Sequence, residues 1–265
     1  MQISFWSNMH GQGATSATTA ALASLISQKT AYKVLVSHNH IERSALEGYF
    51  YKKSKIDALN FSGLSNQGVD ALIRLIQNGR LNPEMIADYT FSLLKNNRLD
   101  ILLGSSKKKR PEDRDLYLDI VECARKFYDF ILIDVHSGLN DITSLKILER
   151  SDFIIFCLNQ NNYLLQDFKE ILNANPVLKT KNAVYVISRF ERQSSMTTGN
   201  IARRFNLNKK AIFAVPESSI FLDALNNGRV FDFVAYCLGG RDGEEKAFAD
   251  SLIKIFDYII EGCSE

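Results

Sequence analysis

The sequence alternates short, almost wholly apolar runs with longer segments of helical periodicity. Seven apolar runs predict strands at residues 3–6, 33–37, 99–103, 130–134, 153–158, 183–188 and 211–214. Because most of these runs are apolar throughout, we expect strands buried on both faces, as in a parallel sheet. The other segments predict helices at residues 15–28, 69–77, 114–126, 141–149, 164–172, 196–204, 219–227 and 244–260. The pattern predicts an α/β fold with three layers, a doubly wound, mostly parallel sheet with helices on both faces.

Composition limits the class of protein. A chain of 265 residues with 46% hydrophobic content predicts a single domain over residues 1–265. Residues 38–98, between the second and third predicted strands, are interpreted as an excursion from the sheet. The net charge of +2 gives no global attraction to nucleic acid or anionic membranes. The first residues show no leader or membrane span, so we expect a cytoplasmic protein. Four widely spaced cysteines predict free thiols. They are Cys123, Cys157, Cys237 and Cys263.

A glycine-rich segment at residues 8–16 lies between the first predicted strand and the first helix. The general phosphate-loop pattern is GxxxxGK[ST], in which backbone N–H groups and a helix N-terminus hold phosphate oxygens. Here Gly13 stands at the second glycine, Thr15 at the magnesium-binding hydroxyl and Ala14 at the lysine. The segment therefore predicts a phosphate loop that has lost its lysine. A turn capped by Thr15 or Ser16, with no ligand, is the alternative.

Three later segments carry further patterns. The second predicted strand leads into His-Asn-His at residues 38–40, the fourth ends in Asp-Val-His-Ser-Gly at residues 134–138, and Val-Pro-Glu at residues 215–217 precedes a helix. Together with residues 8–16, and in this order over about residues 3–230, they resemble the ParA/MinD family of P-loop ATPases. Because it lacks the loop lysine, the chain is most similar, within that family, to pilus-assembly and localisation proteins of the TadZ/CpaE type.

The resemblance implies which functional residues the chain keeps and which it has lost. The family's signature lysine falls on Met9 and its ordinary loop lysine on Ala14, so both are missing. No acid stands at residues 38–40, where the family carries aspartates that prepare the attacking water. The aspartate of the family's DxPxG segment is kept as Asp134, with His136 in place of proline. Asp134 is the one candidate catalytic residue.

The resemblance also implies a nucleotide site. Ser188, followed by Arg189, is similar to the base-contacting asparagine of the family, and residues 215–217 to the segment whose backbone meets adenine. Thr15 and Asp134 would hold Mg²⁺ beside ATP or ADP. The predicted nucleotide-binding residues are Met9, His10, Gly11, Gln12, Gly13, Ala14, Thr15, Ser16, Ser188, Arg189, Val215, Pro216 and Glu217.

The missing charges predict binding with weak or no hydrolysis. Phosphoryl transfer depends on neutralising charge on the transferred group, so we expect a nucleotide-binding localisation or assembly factor that is at most a weak ATPase. One alternative is a slow genuine ATPase in which histidines, or basic residues supplied in trans, replace the lysines. Another is an interaction module that keeps only the fold and binds no nucleotide.

All four histidines fall in the predicted loops at the carboxyl ends of strands. They are His10, His38, His40 and His136. Since such loops meet at one edge of a doubly wound sheet, we expect the four rings to lie together. One alternative is that the rings contact phosphate in place of lysine. Another is that His38, His40 and His136 bind a transition metal. The third is that the rings share no ligand.

Partners are predicted from the resemblance and from one basic run. The resemblance implies a homodimer across the nucleotide face and protein partners from a localisation, secretion or pilus system. A basic run could contact a membrane or nucleic acid, which would place the protein at the membrane periphery, although most such runs are solvated loops. It consists of Lys107, Lys108, Lys109 and Arg110.

Overall fold

The computed structural model describes residues 1–40, 44–51, 67–105, 111–179 and 182–263, and of residues 111–114 only the backbone. Eight strands form one sheet in the order β3-β4-β2-β5-β1-β6-β7-β8. Neighbouring strands are parallel except for β3 and β4. The strands are β1 Gln2–Trp6, β2 Val34–His38, β3 Phe91–Leu94, β4 Leu99–Ile101, β5 Phe130–Asp134, β6 Phe153–Leu158, β7 Asn182–Phe190 and β8 Ile212–Pro216. The predicted fold class is confirmed.

Helices connect the strands. They are α1 Thr15–Lys29, α2 Leu46–Phe50, α3 Gly68–Gln77, α4 Pro111–Ala124, α5 Ile142–Arg150, α6 Asn162–Ala174, α7 Pro176–Lys179, α8 Thr198–Phe205, α9 Ser219–Asn226, α10 Val230–Gly239 and α11 Gly243–Glu261. The sequence did not predict β3, α2, α7 or α10. The first three are only four or five residues long, too short to show a period. The helix α10 is apolar on most sides, which obscures its period.

Two hydrophobic cores lie on opposite faces of the sheet. One contains α1, α2, α10 and α11 with Ile3 and Phe5 of β1, and the other contains α3, α4, α5, α6 and α8 with Trp6. The helix α1 follows β1 on one face, and α5 follows the adjacent strand β5 on the other. Because the two connections diverge, they leave a crevice at the carboxyl ends of β1 and β5, where doubly wound folds bind ligands.

Three other sequence predictions can be compared with the structure. All four cysteines are free thiols, as predicted. The basic run at residues 107–110 lies outside the described residues, as do residues 41–43 and 52–66 of the predicted excursion. Within the described residues, no helix combines the length and apolar character that a membrane span needs.

Candidate functional site

The glycine-rich loop leaves the carboxyl end of β1 beside β6. Gly13 lies so close to β6 that an added Cβ would collide with the carbonyl oxygen of Cys157 and the side chain of Ser7. Gly11 has φ +74°, in the left-handed region that favours glycine. The loop therefore needs both glycines for its backbone path, one for close approach and one for conformation.

The residue at the lysine position is strained. Ala14 precedes α1 with φ 52° and ψ 37°, a left-handed conformation that costs a non-glycine residue about 1 kcal/mol. Its methyl group gives α1 no side-chain cap. Within the described residues, no acceptor meets the N–H groups of Gly13, Ala14 and Thr15. These N–H groups form the kind of open helix N-terminus that binds anions.

Hydrogen bonds anchor the loop through two of its carbonyl groups and through the Asn8 side chain. The Asn159 amide donates to the Gln12 carbonyl at 3.2 Å, and the Arg189 guanidinium donates to the Gly11 carbonyl at 3.4 Å. The Asn8 amide donates to the Asp167 carboxylate of α6 at 2.7 Å. These bonds hold the loop in place, although the N–H groups of Gly13, Ala14 and Thr15 meet no acceptor among the described residues.

Asp134 closes the crevice at the end of β5. Its carboxylate is fully buried, and its Oδ2 accepts a hydrogen bond from the Ser16 hydroxyl at 2.5 Å. The Nε2 of His40 lies 3.1 Å from the same oxygen, at ion-pair distance but without hydrogen-bond alignment. The other oxygen, Oδ1, has no partner among the described residues. Ser16 therefore meets Asp134, whereas the sequence had assigned the neighbouring Thr15 to the metal beside it.

The four histidines lie in a row at this edge. Ring centroids are 5.4 Å apart for His38 and His40, 5.6 Å for His40 and His136, and 6.5 Å for His10 and His136. The row runs from the buried His38 to the exposed His10. The expected clustering is confirmed.

The row does not form the metal site that was one of the three alternatives for these histidines. Within the described residues, no group of three or more histidine, cysteine, aspartate or glutamate side chains is placed to hold a metal ion. The reason is that the rings follow one another along the edge, so they do not converge on a point. Asn39 fixes this spacing, because its Oδ1 accepts from the His136 backbone N–H at 2.7 Å and its amide donates to Ser144 at 3.0 Å.

Both ring nitrogens of the buried His38 have partners within the protein. Its Nε2 lies 2.8 Å from Glu47 of α2, and its Nδ1 accepts the backbone N–H of His40 at 3.2 Å. Burial favours the neutral acid, but the His38 ring and the backbone N–H of Gly104 outweigh it and lower the pKa of Glu47 to about 2. Gly104 is required here, because an added Cβ would collide with the His38 ring.

The predicted base site lies two strands away at the same edge. Ser188 is buried, and its hydroxyl lies 3.4 Å from the Thr18 hydroxyl of α1. The exposed Arg189 follows it. The segment Val215, Pro216 and Glu217 ends β8, where the Glu217 N–H donates to the Phe190 carbonyl at 3.4 Å. Among these residues, Arg189 contacts the loop and Ser188 contacts α1, and the contact of the whole set with a base stays a prediction.

Sequence reasoning missed Glu47 and Tyr49, which both lie in α2. Burial first, and then the charge of Asp134, raise the pKa of Tyr49, while the charge of Arg189 lowers it. Tyr49 is therefore within electrostatic reach of both ends of the site. The sequence offered no signal for either residue, because α2 is too short to show a period and the contacts join distant segments.

Solved structures share this architecture. A ParA family ATPase from Chlorobium tepidum TLS superposes with a TM-score of 0.73 at 16% identity, covering 95% of this chain and 98% of the other. The likeness shows the fold. This chain has the fold of the ParA and MinD ATPases. No protein-family model matches the sequence, and the search of curated proteins finds no match either.

Two further structures with this fold contain nucleotides. A plasmid partition protein from Borrelia burgdorferi B31, bound to AMPPNP, has a TM-score of 0.68 at 16% identity, covering 96% of this chain and 97% of its own. The septum site-determining protein MinD from Pyrococcus horikoshii OT3, complexed with Mg-ADP, also has 0.68 at 16% identity, covering 98% and 96%.

Proposed function

We propose that the chain binds ATP or ADP, hydrolyses it weakly or not at all, and acts as a localisation or assembly factor. The observation that carries the proposal is the glycine-rich loop with open amides at the first turn of α1. An anion there would satisfy the N–H groups and interact favourably with the helix dipole. The AMPPNP and Mg-ADP in two structures of the same fold agree with a nucleotide as that anion.

Weak hydrolysis follows from the charges that are missing. Met9 and Ala14 are apolar, so neither neutralises the transferred phosphate. Loss of a comparable charged group lowers phosphoryl-transfer rates by roughly a thousandfold or more. Asn39 stands between two histidines where an acid would position water, and its amide is already hydrogen-bonded to Ser144 and His136.

Mg²⁺ fits the residues that are present. The orphaned Oδ1 of Asp134 is the kind of buried acceptor that a metal-bound water would satisfy. The Thr15 hydroxyl, at the start of α1, would be the direct protein ligand of the ion, and Asp134 would hold the ion through that water. When bound, the ion would offset charge on the phosphate oxygens, while Ser16 holds the Asp134 carboxylate in place.

Ligand-induced stabilisation tests the proposal. ATP or ADP with Mg²⁺ at about one hundred times its Kd should raise the unfolding free energy by about 2.7 kcal/mol, and phosphate release should stay near background. Gly13→Ala should abolish the stabilisation, because its Cβ displaces the loop, whereas Gly48→Ala meets no neighbouring atom and should keep it. Brisk hydrolysis that Thr15→Ala abolishes would overturn the proposal.

A slow genuine ATPase is the second candidate. The exposed His10 belongs to the loop, and the ring centroid of the half-buried His136 lies 6.5 Å from that of His10. Both imidazoles could donate to phosphate there. Steady phosphate release that falls in His10→Ala and His136→Ala would favour this candidate. Failure of any nucleotide to stabilise the chain would favour the third, an interaction module that keeps only the fold.

A homodimer across this edge belongs to the same proposal. Exposed apolar side chains follow four of the strands there, namely Met9, Ile142, Tyr163, Ile220 and Leu222. Burial of such a row against a second copy would remove apolar surface from water. Light scattering should show a dimer that the double substitution Tyr163→Ala with Leu222→Ala weakens. Substitution of Tyr236, an exposed tyrosine on α10, by alanine should leave the dimer unchanged.

A cytoplasmic or membrane-peripheral location and a role in pilus assembly complete the proposal.

A further inference from the structure

The end of β7 is irregular next to the phosphate loop. The pairing of β7 with β8 shifts between Ile187 and Phe190, so two residues stand outside the regular ladder. One of them, Arg189, has φ +50°, in the left-handed region. Irregularities of this kind redirect a side chain and are common beside functional sites. The strained backbone at Arg189 therefore marks its side chain as a candidate for a functional contact.

The irregular segment is anchored to the helix behind the loop. The hydroxyl of Ser188 lies 3.4 Å from that of Thr18, and the Thr18 hydroxyl donates to the Ala14 carbonyl at 3.0 Å. The backbone at Arg189 is therefore held at a fixed distance from the first turn of α1.

From this anchor the guanidinium reaches over the loop. Its Nη2 lies 3.4 Å from the Gly11 carbonyl oxygen. Arg189 itself is exposed, and across the described ranges it forms no ion pair with a carboxylate. A cation with one weak hydrogen bond at the edge of an anion-binding loop keeps most of its donors available.

The glycine-rich loop at residues 8–16 contains no lysine or arginine. Met9 and Ala14 carry no charge, and the buried Asp134 adds a negative charge beneath the loop. Bound phosphates would therefore meet uncompensated negative charge. A guanidinium is suited to this role, since its planar fork binds two phosphate oxygens at once. The opposite effects of Asp134 and Arg189 on the pKa of Tyr49 agree with their placement around one site.

We propose that Arg189, supplied in cis from the end of β7, binds the nucleotide phosphates and takes over the charge that a loop lysine would carry. The inference rests on the proposed nucleotide binding and specifies it further. Arg189 thereby changes from a residue next to the base to a ligand of the phosphates. The site then needs no basic residue from a partner for binding.

Calorimetric titration with ATP, ADP and adenosine tests the role of Arg189. Arg189→Gln should weaken the binding of ATP by about tenfold to a hundredfold, the usual range for a hydrogen bond to a charged group. The affinity for ADP should fall less, and the affinity for adenosine should not change. Arg189→Lys should recover most of the ATP affinity, and Arg192→Gln, an exposed arginine three residues along, should bind as the wild type does. Unchanged thermal unfolding without nucleotide would show that Arg189→Gln still folds.

The outcomes separate this inference from the proposed function. Equal loss of ATP and adenosine would assign Arg189 to the base and overturn the inference alone. If the wild-type protein binds ATP and Arg189→Gln binds it with the same affinity, the inference about Arg189 is overturned and the proposed function stands. Wild-type protein that binds none of the three ligands would overturn both.

Discussion

The loops at the carboxyl edge of the sheet differ in how they begin their helices. The helices after β5, β6, β7 and β8 each have a side-chain cap that accepts a backbone N–H of the first turn. The caps are Asp141, Asn161, Thr197 and Ser218. The helix after β1 instead starts from Ala14, which is strained and offers no cap. A bound anion would do at α1 what a side chain does at the other four.

The described part of the loop after β2 is closed in another way, because Ala45 gives α2 no side-chain cap. There His38 is enclosed by Glu47, the His40 backbone and Gly104. The start of α1 thus combines a strained preceding residue with open amides, whereas side chains cap the starts of α5, α6, α8 and α9. The difference agrees with the proposal that a bound anion completes the start of α1.

The largest expected effect concerns the closed loop. The pKa of Glu47 is about 2 in the folded protein, below its usual 4.5, so its contribution is present above pH 4.5 and is lost as pH falls towards 2. Over that window the unfolding free energy should fall by up to about 3 kcal/mol because of this group. Urea unfolding at several pH values measures it. Glu47→Gln should remove this part of the pH dependence, and identical profiles for the two proteins would contradict the assignment.

Gly13→Ala should have the next largest effect. Its methyl group meets the Cys157 carbonyl, which cannot rotate away, so we expect a loss of about 1–3 kcal/mol in unfolding free energy. Gly48→Ala is the matched control, because an added Cβ there meets no atom within 4 Å. Similar stability of the two variants would mean that the loop is not packed against β6.

Removal of a cap tests the comparison directly. Asp141 accepts the Ser144 N–H at 3.2 Å, and Asp141→Ala should cost about 1 kcal/mol by chemical unfolding. The nucleotide affinity should not change. A variant as stable as the wild type would show that these caps do not distinguish the other helices from α1.

The smallest effect is expected at Ala14. Glycine adopts φ 52° without steric cost, so Ala14→Gly should raise the unfolding free energy of the ligand-free protein by up to about 1 kcal/mol. The gain should be absent at Ala45, a helix-preceding alanine with φ −85°. A destabilised Ala14→Gly would mean that Ala14 is not strained.

The sequence predicted most of the framework. The strands 130–134 and 153–158 begin and end where predicted, and the glycine loop stands between β1 and α1. It did not predict that Ser16 contacts Asp134, since Thr15 and Ser16 differ only in which side of the helix each faces. One of its three alternatives for the histidines placed His38, His40 and His136 on one metal, whereas the described rings lie in a row.

The sequence by itself determined the α/β class, the glycine loop and the absence of its lysine, because these depend on local periodicity and on residue identity. Only the tertiary structure decided that Glu47 encloses His38 and that Arg189 reaches Gly11, which is 178 residues away in the chain. The physical reason is that the periodicity of a strand or helix is present within its own segment of the sequence. A polar contact between distant residues depends instead on how packing on both faces of the sheet brings separate segments together.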